Sequence, residues 1–106
     1  MVVHVLVFVL PNKGKEKRVG EVFEWLIKEV KEKEPDVHMY HVYNTQDHEK
    51  GMLDYVAYFR IKDETVFAQR PNLSHHREVA RILKEEDLIR EPLKYLKLEN
   101  YRGWDR

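Results

Sequence analysis

Val2-Val3-His4-Val5-Leu6-Val7-Phe8-Val9-Leu10 is the stretch on which the fold turns. β-Branched residues dominate it and Pro11 ends it, which predicts a strand of about nine residues rather than a helix. Successive strand side chains point to opposite faces, so Val3, Val5, Val7 and Val9 share one face while Val2, His4, Leu6, Phe8 and Leu10 share the other. Neither set is written for water, and both faces need cover. The run is also under half the length of a membrane-spanning helix and lacks the basic start and small-residue cleavage site of a secretory signal. No targeting segment and no membrane partner are expected.

Outward from this strand, Asn12, Lys13 and Gly14 read as a turn. Val19, Val22, Phe23, Leu26, Ile27 and Val30 then recur at helical spacing within an arc of about 140°, predicting an amphipathic helix over residues 15–33 stopped by Pro35. Gly20 lies near the edge of this stripe at a cost of about 1 kcal/mol relative to alanine, and close packing against the sheet is one reason for it. Trp25 falls off the stripe, either as a lone exposed residue or as part of a second contact surface. Residues 37–43 alternate as a second strand, residues 44–51 form a hairpin-like loop, and residues 53–61 form a third strand whose face of Leu53, Tyr55, Ala57, Phe59 and Ile61 is uninterruptedly apolar. Asp63 is placed to cap a short helix containing Val66, Phe67 and Ala68, and Pro71 and Asn72 break it. Ser74 is expected to cap the next helix, with His75, Val79, Ile82 and Leu83 as its stripe and His76 on the edge. Pro92 ends that region, and residues 95–101 alternate as a last strand.

The order β-α-β-β-α-β is the split arrangement of a ferredoxin-like α+β fold, a four-stranded antiparallel sheet with its helices on one face. Helices on one face cannot cover the first strand on both. Packing of the bare sheet face against a second copy resolves this, so strand parity predicts a homodimer.

At 106 residues the chain is one domain, spanning residues 1–106. Nineteen Lys plus Arg balance nineteen Asp plus Glu, so no global basic field exists to hold a nucleic-acid backbone or an anionic membrane, and neither is an expected partner. The absence of cysteine excludes disulfides, thiolate metal sites and cysteine nucleophiles, and makes a cytoplasmic address the simpler expectation.

The sequence contains no GxGxxG, no Walker loop and no HExxH, so nothing in it calls for a nucleotide or a zinc-protease centre. Six histidines raise the question of a metal, but His38 and His41 sit three apart on a strand and His75 and His76 diverge by about 100° on a helix, so no metal site is expected. Four groups are candidates to line an interior cavity between sheet and helices: His4 within the apolar first strand, Tyr55 on the apolar face of the third, and His75 and His76 at the start of the second long helix. Each histidine alone reads as a buried imidazole bonded to backbone. Together they bring rings that titrate near neutrality from separate parts of the chain, the property wanted in a general acid or base. At a helix N-terminus the dipole also favours neutral imidazole, which keeps a base available at pH 7.

Four segments, EPDVHMYHVY, YVAYFRIKDETVFAQ, SHHREV and KEEDLIREPLKYLKLE, in this order over most of the chain, resemble the dimeric α+β barrel superfamily and within it the antibiotic biosynthesis monooxygenase domain; the last looks like the fungal members. The amino-terminal VVHVLVF also resembles a stress-responsive branch that includes a polyketide cyclase. In that comparison His4 matches a pocket histidine, His76 matches the catalytic helix histidine more closely than His75, and Tyr55 stands where the third strand carries another pocket histidine. The cyclase's catalytic tyrosine falls near Arg70, a departure. A haem-degrading branch uses an Asn, a Trp and a His where this chain offers Val or Leu, Arg70 and Ala80, which disfavours haem breakdown.

The resemblance implies oxidation of a small hydrophobic or aromatic metabolite, quinol-, polyketide- or lipid-like, by O₂ without a cofactor. The substrate must then supply the electrons, and the protein a dry pocket, a base and donors for the resulting oxyanion. On this reading His76 or His75 is the base, His4 and Tyr55 orient the substrate or hold its oxyanion, and Leu6, Phe8, Phe23, Ile27 and Phe67 are apolar walls. The alternatives are a non-oxidative cyclase using the same histidines and a stress-responsive dimer that only binds a hydrophobic ligand.

Overall fold

Exposure alternates along the first strand, and the alternation decides which side of the sheet the helices take. In the computed structural model, which describes residues 2–45, 54–99 and 102–106, β1 (Val3–Val9) buries every odd residue, and its even residues stay partly accessible. The chain continues through α1 (Glu16–Lys33), β2 (Val37–Asn44), β3 (Tyr55–Ile61), the short α2 (Glu64–Gln69), a 3₁₀ turn at Arg70–Asn72, α3 (Ser74–Glu85) and β4 (Lys94–Leu98). The four strands form one antiparallel sheet in the order β2-β3-β1-β4. This is the expected ferredoxin-like α+β arrangement.

Directly paired residues in an antiparallel sheet share a face. Val5 opposes Phe59, Val7 opposes Ala57 and Val9 opposes Tyr55, and all six are at most 8% exposed. The expected stripe of α1 closes over them, with Val19, Val22, Phe23, Leu26 and Val30 buried and Ile27 half-buried. From α3, Val79 and Leu83 join the same core.

The opposite face carries His4, Leu6 and Phe8, opposed by Arg60, Tyr58 and Val56 on β3 and by Leu98, Leu96 and Lys94 on β4. No helix covers it among the described residues. Leu96 is 38% exposed and Leu98 40%, so the apolar second face that strand parity requires is present.

The two expected helix caps fare differently. Asp63 caps α2, its side chain accepting the Val66 N–H at 3.0 Å. Ser74, expected as a cap, is instead the first helical residue, and the extended Leu73 before it supplies no side-chain bond. Pro71 in the preceding turn sets that register by directing the chain into a 3₁₀ turn. Gly20 does mark close packing: a Cβ there would lie 2.8 Å from the Tyr55 hydroxyl, which donates to the Glu16 carbonyl at 2.9 Å. Trp25 is 38% exposed. Most of the loop expected at residues 44–51, together with Leu53 and Tyr101, lies outside the described residues. No described helix is long and apolar enough to cross a membrane.

Candidate functional site

A cavity of about 570 Å³ opens between sheet and helices, within the range of small-molecule sites. Val7 and Ala57 form its floor, Phe23 and Leu26 of α1 one wall, and Phe67, Val79 and Leu93 the other. This lining is apolar. The polar groups enter at one end, from Tyr40, Arg70, His76 and Tyr95.

They are organised around a residue the helix leaves behind. Pro35 disfavours helical backbone at the residue before it, and Glu34 accordingly departs from α1 with φ −123° and ψ 76°. Its side chain turns inward and is 5% exposed. Arg70, in the 3₁₀ turn, donates from Nε to Glu34 Oε1 at 2.8 Å. From the first turn of α3, His75 Nε2 meets Glu34 Oε2 at 2.7 Å and His76 Nε2 meets the same oxygen at 2.8 Å.

Burial alone would raise the Glu34 carboxyl, but hydrogen bonds from His76, His75 and Arg70 outweigh it and hold the group down at about 2. An ionised carboxylate only accepts, so both histidines carry their proton on Nε2 and present Nδ1 as the acceptor in the neutral ring. The Arg70 charge balances that of Glu34, leaving the four-residue cluster neutral when both imidazoles are neutral. The Arg70 guanidinium also lies over the ring of Phe59 at 4.3 Å and that of Tyr40 at 5.7 Å. Burial pushes the Tyr40 hydroxyl up to about 12, so it remains a neutral donor.

The expected site residues divide four ways. His76, Phe23 and Phe67 line the cavity. His75 is buried behind His76, 4% exposed, with the two rings 4.6 Å apart. Tyr55 and Ile27 border a separate, smaller recess of about 350 Å³ that Phe23 also lines, and the Tyr55 hydroxyl is occupied by the Glu16 carbonyl.

His4, Leu6 and Phe8 do not reach the cavity, contrary to expectation. The odd residues of β1 oppose the inward residues of β3, so parity sends the even ones to the opposite face. There His4 Nδ1 bonds the Tyr58 hydroxyl at 2.8 Å. His4 and Tyr55 are thus on opposite sides of the sheet, and neither is placed to hold an oxyanion beside His76.

The divergence expected of His75 and His76 does not keep them apart either, because both rings bend toward one carboxylate. Glu34, His75 and His76 bring three ligand-type atoms within 4.8 Å of one another, the composition of a two-histidine, one-carboxylate metal set. Arg70 on the other carboxylate oxygen sets a fixed positive charge against a cation there, and the same atoms are accounted for as a hydrogen-bonded cluster.

Sequence reasoning missed Glu34, Arg70 and Tyr40 as site residues. Glu34 stands in the run KEKEPD, where it looks like one more solvated charge; Pro35 beside it was the available signal. Tyr40 is brought inward by an irregularity between Val37 and Met39, after which Tyr40 opposes Phe59. Simple alternation from Val37 would have put Met39 there.

No family model matches the chain, and no curated protein is similar to it in sequence. Solved structures are similar in fold. A protein from Mycobacterium tuberculosis superposes with a TM-score of 0.81 at 14% identity, over 99% of this chain and 100% of its own. A structure from Nitrosomonas europaea, provisionally named an antibiotic biosynthesis monooxygenase, gives 0.80 at 14% over 93% and 89%. Another of that provisional name, from Caulobacter crescentus, gives 0.81 at 13% over 95% and 91%. The chain therefore has the α+β fold of structures named as antibiotic biosynthesis monooxygenases.

Proposed function

We propose that this protein is a cofactor-independent monooxygenase that oxidises a small hydrophobic aromatic molecule with O₂, using His76 as the base. The observation that carries this is the His76 ring on the wall of an apolar cavity, with its Nε2 bonded to the ionised carboxylate of Glu34 at 2.8 Å. A carboxylate behind an imidazole fixes the tautomer and stabilises the cation formed when the ring takes a proton.

On an anthrone-like substrate, His76 Nδ1 removes a proton from the ring methylene and leaves a carbanion delocalised onto the carbonyl oxygen. That anion is electron-rich enough to reduce O₂ and combine with it as a peroxide anion. The imidazolium returns its proton to give the hydroperoxide, and loss of water leaves a carbonyl. The methylene and O₂ thus become a carbonyl and H₂O, with substrate as the sole reductant. The cavity keeps water from the anion.

The same reading includes a homodimer. Leu6, Phe8, Leu96 and Leu98 share the uncovered sheet face, an apolar surface that packing against its twin would bury.

The test is aerobic against anaerobic incubation with an anthrone, following quinone absorbance and O₂ uptake in chelator-dialysed protein. Protein-dependent colour that needs O₂, and a fall of about 10²–10⁴-fold in rate for His76→Gln, are expected. Colour equal without protein, or dependent on added iron or flavin, overturns the reading. Product without O₂ uptake would instead mark a cyclase or isomerase.

A further inference from the structure

We infer that the polar end of the cavity is an anion subsite, in which Arg70 receives an ionised oxygen of the ligand, a phenolate or a carboxylate. This rests on the reading of the cavity as the substrate site. It names the part of the substrate that site recognises.

The argument begins with hydrogen-bond accounting. Arg70 is 7% exposed, and its Nε is used by Glu34. Its Nη2 is buried and has no hydrogen-bond partner among the described residues. A buried guanidinium N–H left without an acceptor is costly and uncommon. Nothing about the fold demands this one, because the ion pair with Glu34 is complete through Nε. The guanidinium is held in place by the rings of Phe59 and Tyr40 beneath it, and all three residues belong to the cavity lining. Such a group is pre-positioned before any ligand arrives, which lowers the cost of recognition.

Charge selects the ligand. Glu34 already balances Arg70, so the resting cluster does not demand an anion by net charge. Once His76 accepts a proton, the cluster carries one positive charge, complementary to a single negative oxygen on the ligand. Tyr40, whose ring lies under the Arg70 guanidinium, lines the same end of the cavity, and as a neutral O–H it is a second donor there. The rest of the lining is apolar. The ligand this describes is a flat or compact apolar body with one anionic oxygen at its edge, and the bidentate geometry of arginine suits such an oxygen better than lysine would.

The experiment measures binding and needs no turnover. Three fluorescent bicyclic probes share one shape: 2-naphthoate, 2-naphthol titrated across its ionisation, and 2-methylnaphthalene. Each is titrated into the full-length protein and into Arg70→Lys, whose folding is checked by circular dichroism. The expected result is that an ionised probe binds about tenfold or more tighter than the methyl compound, with the preference falling to about threefold or less in Arg70→Lys while the methyl compound binds as before. Naphthoate preference alone identifies a carboxylate ligand, and a naphthol affinity that rises with ionisation identifies a phenolate. Equal binding of ionised and methyl probes to the unmodified protein overturns the inference even if Arg70→Lys fails to fold, and so does a preference that survives in that variant. An Arg70-dependent preference without O₂-consuming turnover would sink the monooxygenase reading and leave the subsite standing; turnover without the preference would do the reverse.

Discussion

Alternate residues of one strand, β1, build two faces with opposite roles. The inward face of Val3, Val5, Val7 and Val9 is at most 8% exposed and contains no polar atom beyond the backbone. It is floor, and the polar groups gathered above it arrive from elsewhere: Glu34 from the end of α1, Arg70 from a turn, and His75 and His76 from the start of α3. The outward face of Leu6 and Phe8 also carries a histidine, His4, bonded to Tyr58. In this fold the polar side chains collect where helix ends meet the sheet, and the apolar strand face without such ends above it is the one proposed to associate.

The largest effect expected from breaking this contrast is at Glu34. Replacing it with Gln leaves Arg70 as a buried charge without its counter-ion and gives two imidazoles only a neutral acceptor, a loss of about 3–5 kcal/mol. Denaturant unfolding of Glu34→Gln measures it. Arg81, which pairs with Glu78 and Glu85 at the surface, is the control, and Arg81→Ala should leave the unfolding midpoint nearly unchanged. If the two variants lose equally, the buried cluster is not what holds the helix ends together.

Acid probes the same site. The Glu34 carboxyl is depressed to about 2 from an ordinary 4.5. Its contribution is therefore fully present above pH 4.5 and drains away as pH falls toward 2, for a total on the order of 3 kcal/mol. Urea midpoints taken between pH 5 and pH 2.5 should fall steeply in the native protein and more shallowly in Glu34→Gln. Parallel slopes would place the acid sensitivity elsewhere.

On the outward face the expected effect is on association. Leu6→Asp sets a charge in the middle of the row Tyr58, Leu6, Leu96. It should weaken the proposed dimer by about thirtyfold or more with the secondary structure retained. Sedimentation across a dilution series reads this. A native chain that sediments as a single copy at high concentration removes the dimer.

Much of this fold was legible, and for specific reasons. The odd–even pattern of β1, the stripe of α1 and the Asp63 cap are local or strictly periodic signals, and each survives in the structure. The site was half legible. His75 and His76 stood out because titratable rings on an inward helix edge are conspicuous. Their partner did not, because Glu34 comes from the opposite end of α1 and sits among charges that do face water. The choice between the two faces of β1 was not legible at all, since both are apolar and only the pairing with β3 decides which one the helices cover. That is why His4, Leu6 and Phe8 were expected in the cavity; Tyr40 was not, because the irregularity between Val37 and Met39 that turns it inward leaves no mark on the alternation of β2.

The smallest effect concerns the fit of α1 against the inward face at Gly20. Alanine there should gain up to about 1 kcal/mol in helix propensity, but its Cβ would sit 2.8 Å from the Tyr55 hydroxyl. To make room the ring must shift and strain or lose its bond to the Glu16 carbonyl, worth about 1 kcal/mol. The two terms nearly cancel, so Gly20→Ala alone should leave stability within about 1 kcal/mol of the native protein. Tyr55→Phe removes the offending oxygen, and the next ring atom is 3.6 Å from the added Cβ, an ordinary contact. In that background the same Gly20→Ala change should stabilise by close to the full propensity gain. A double-mutant cycle then gives a coupling of about 1 kcal/mol. If Gly20→Ala has the same effect in both backgrounds, the glycine is not there for the hydroxyl, and the close approach of α1 to β3 must be set by the core side chains alone.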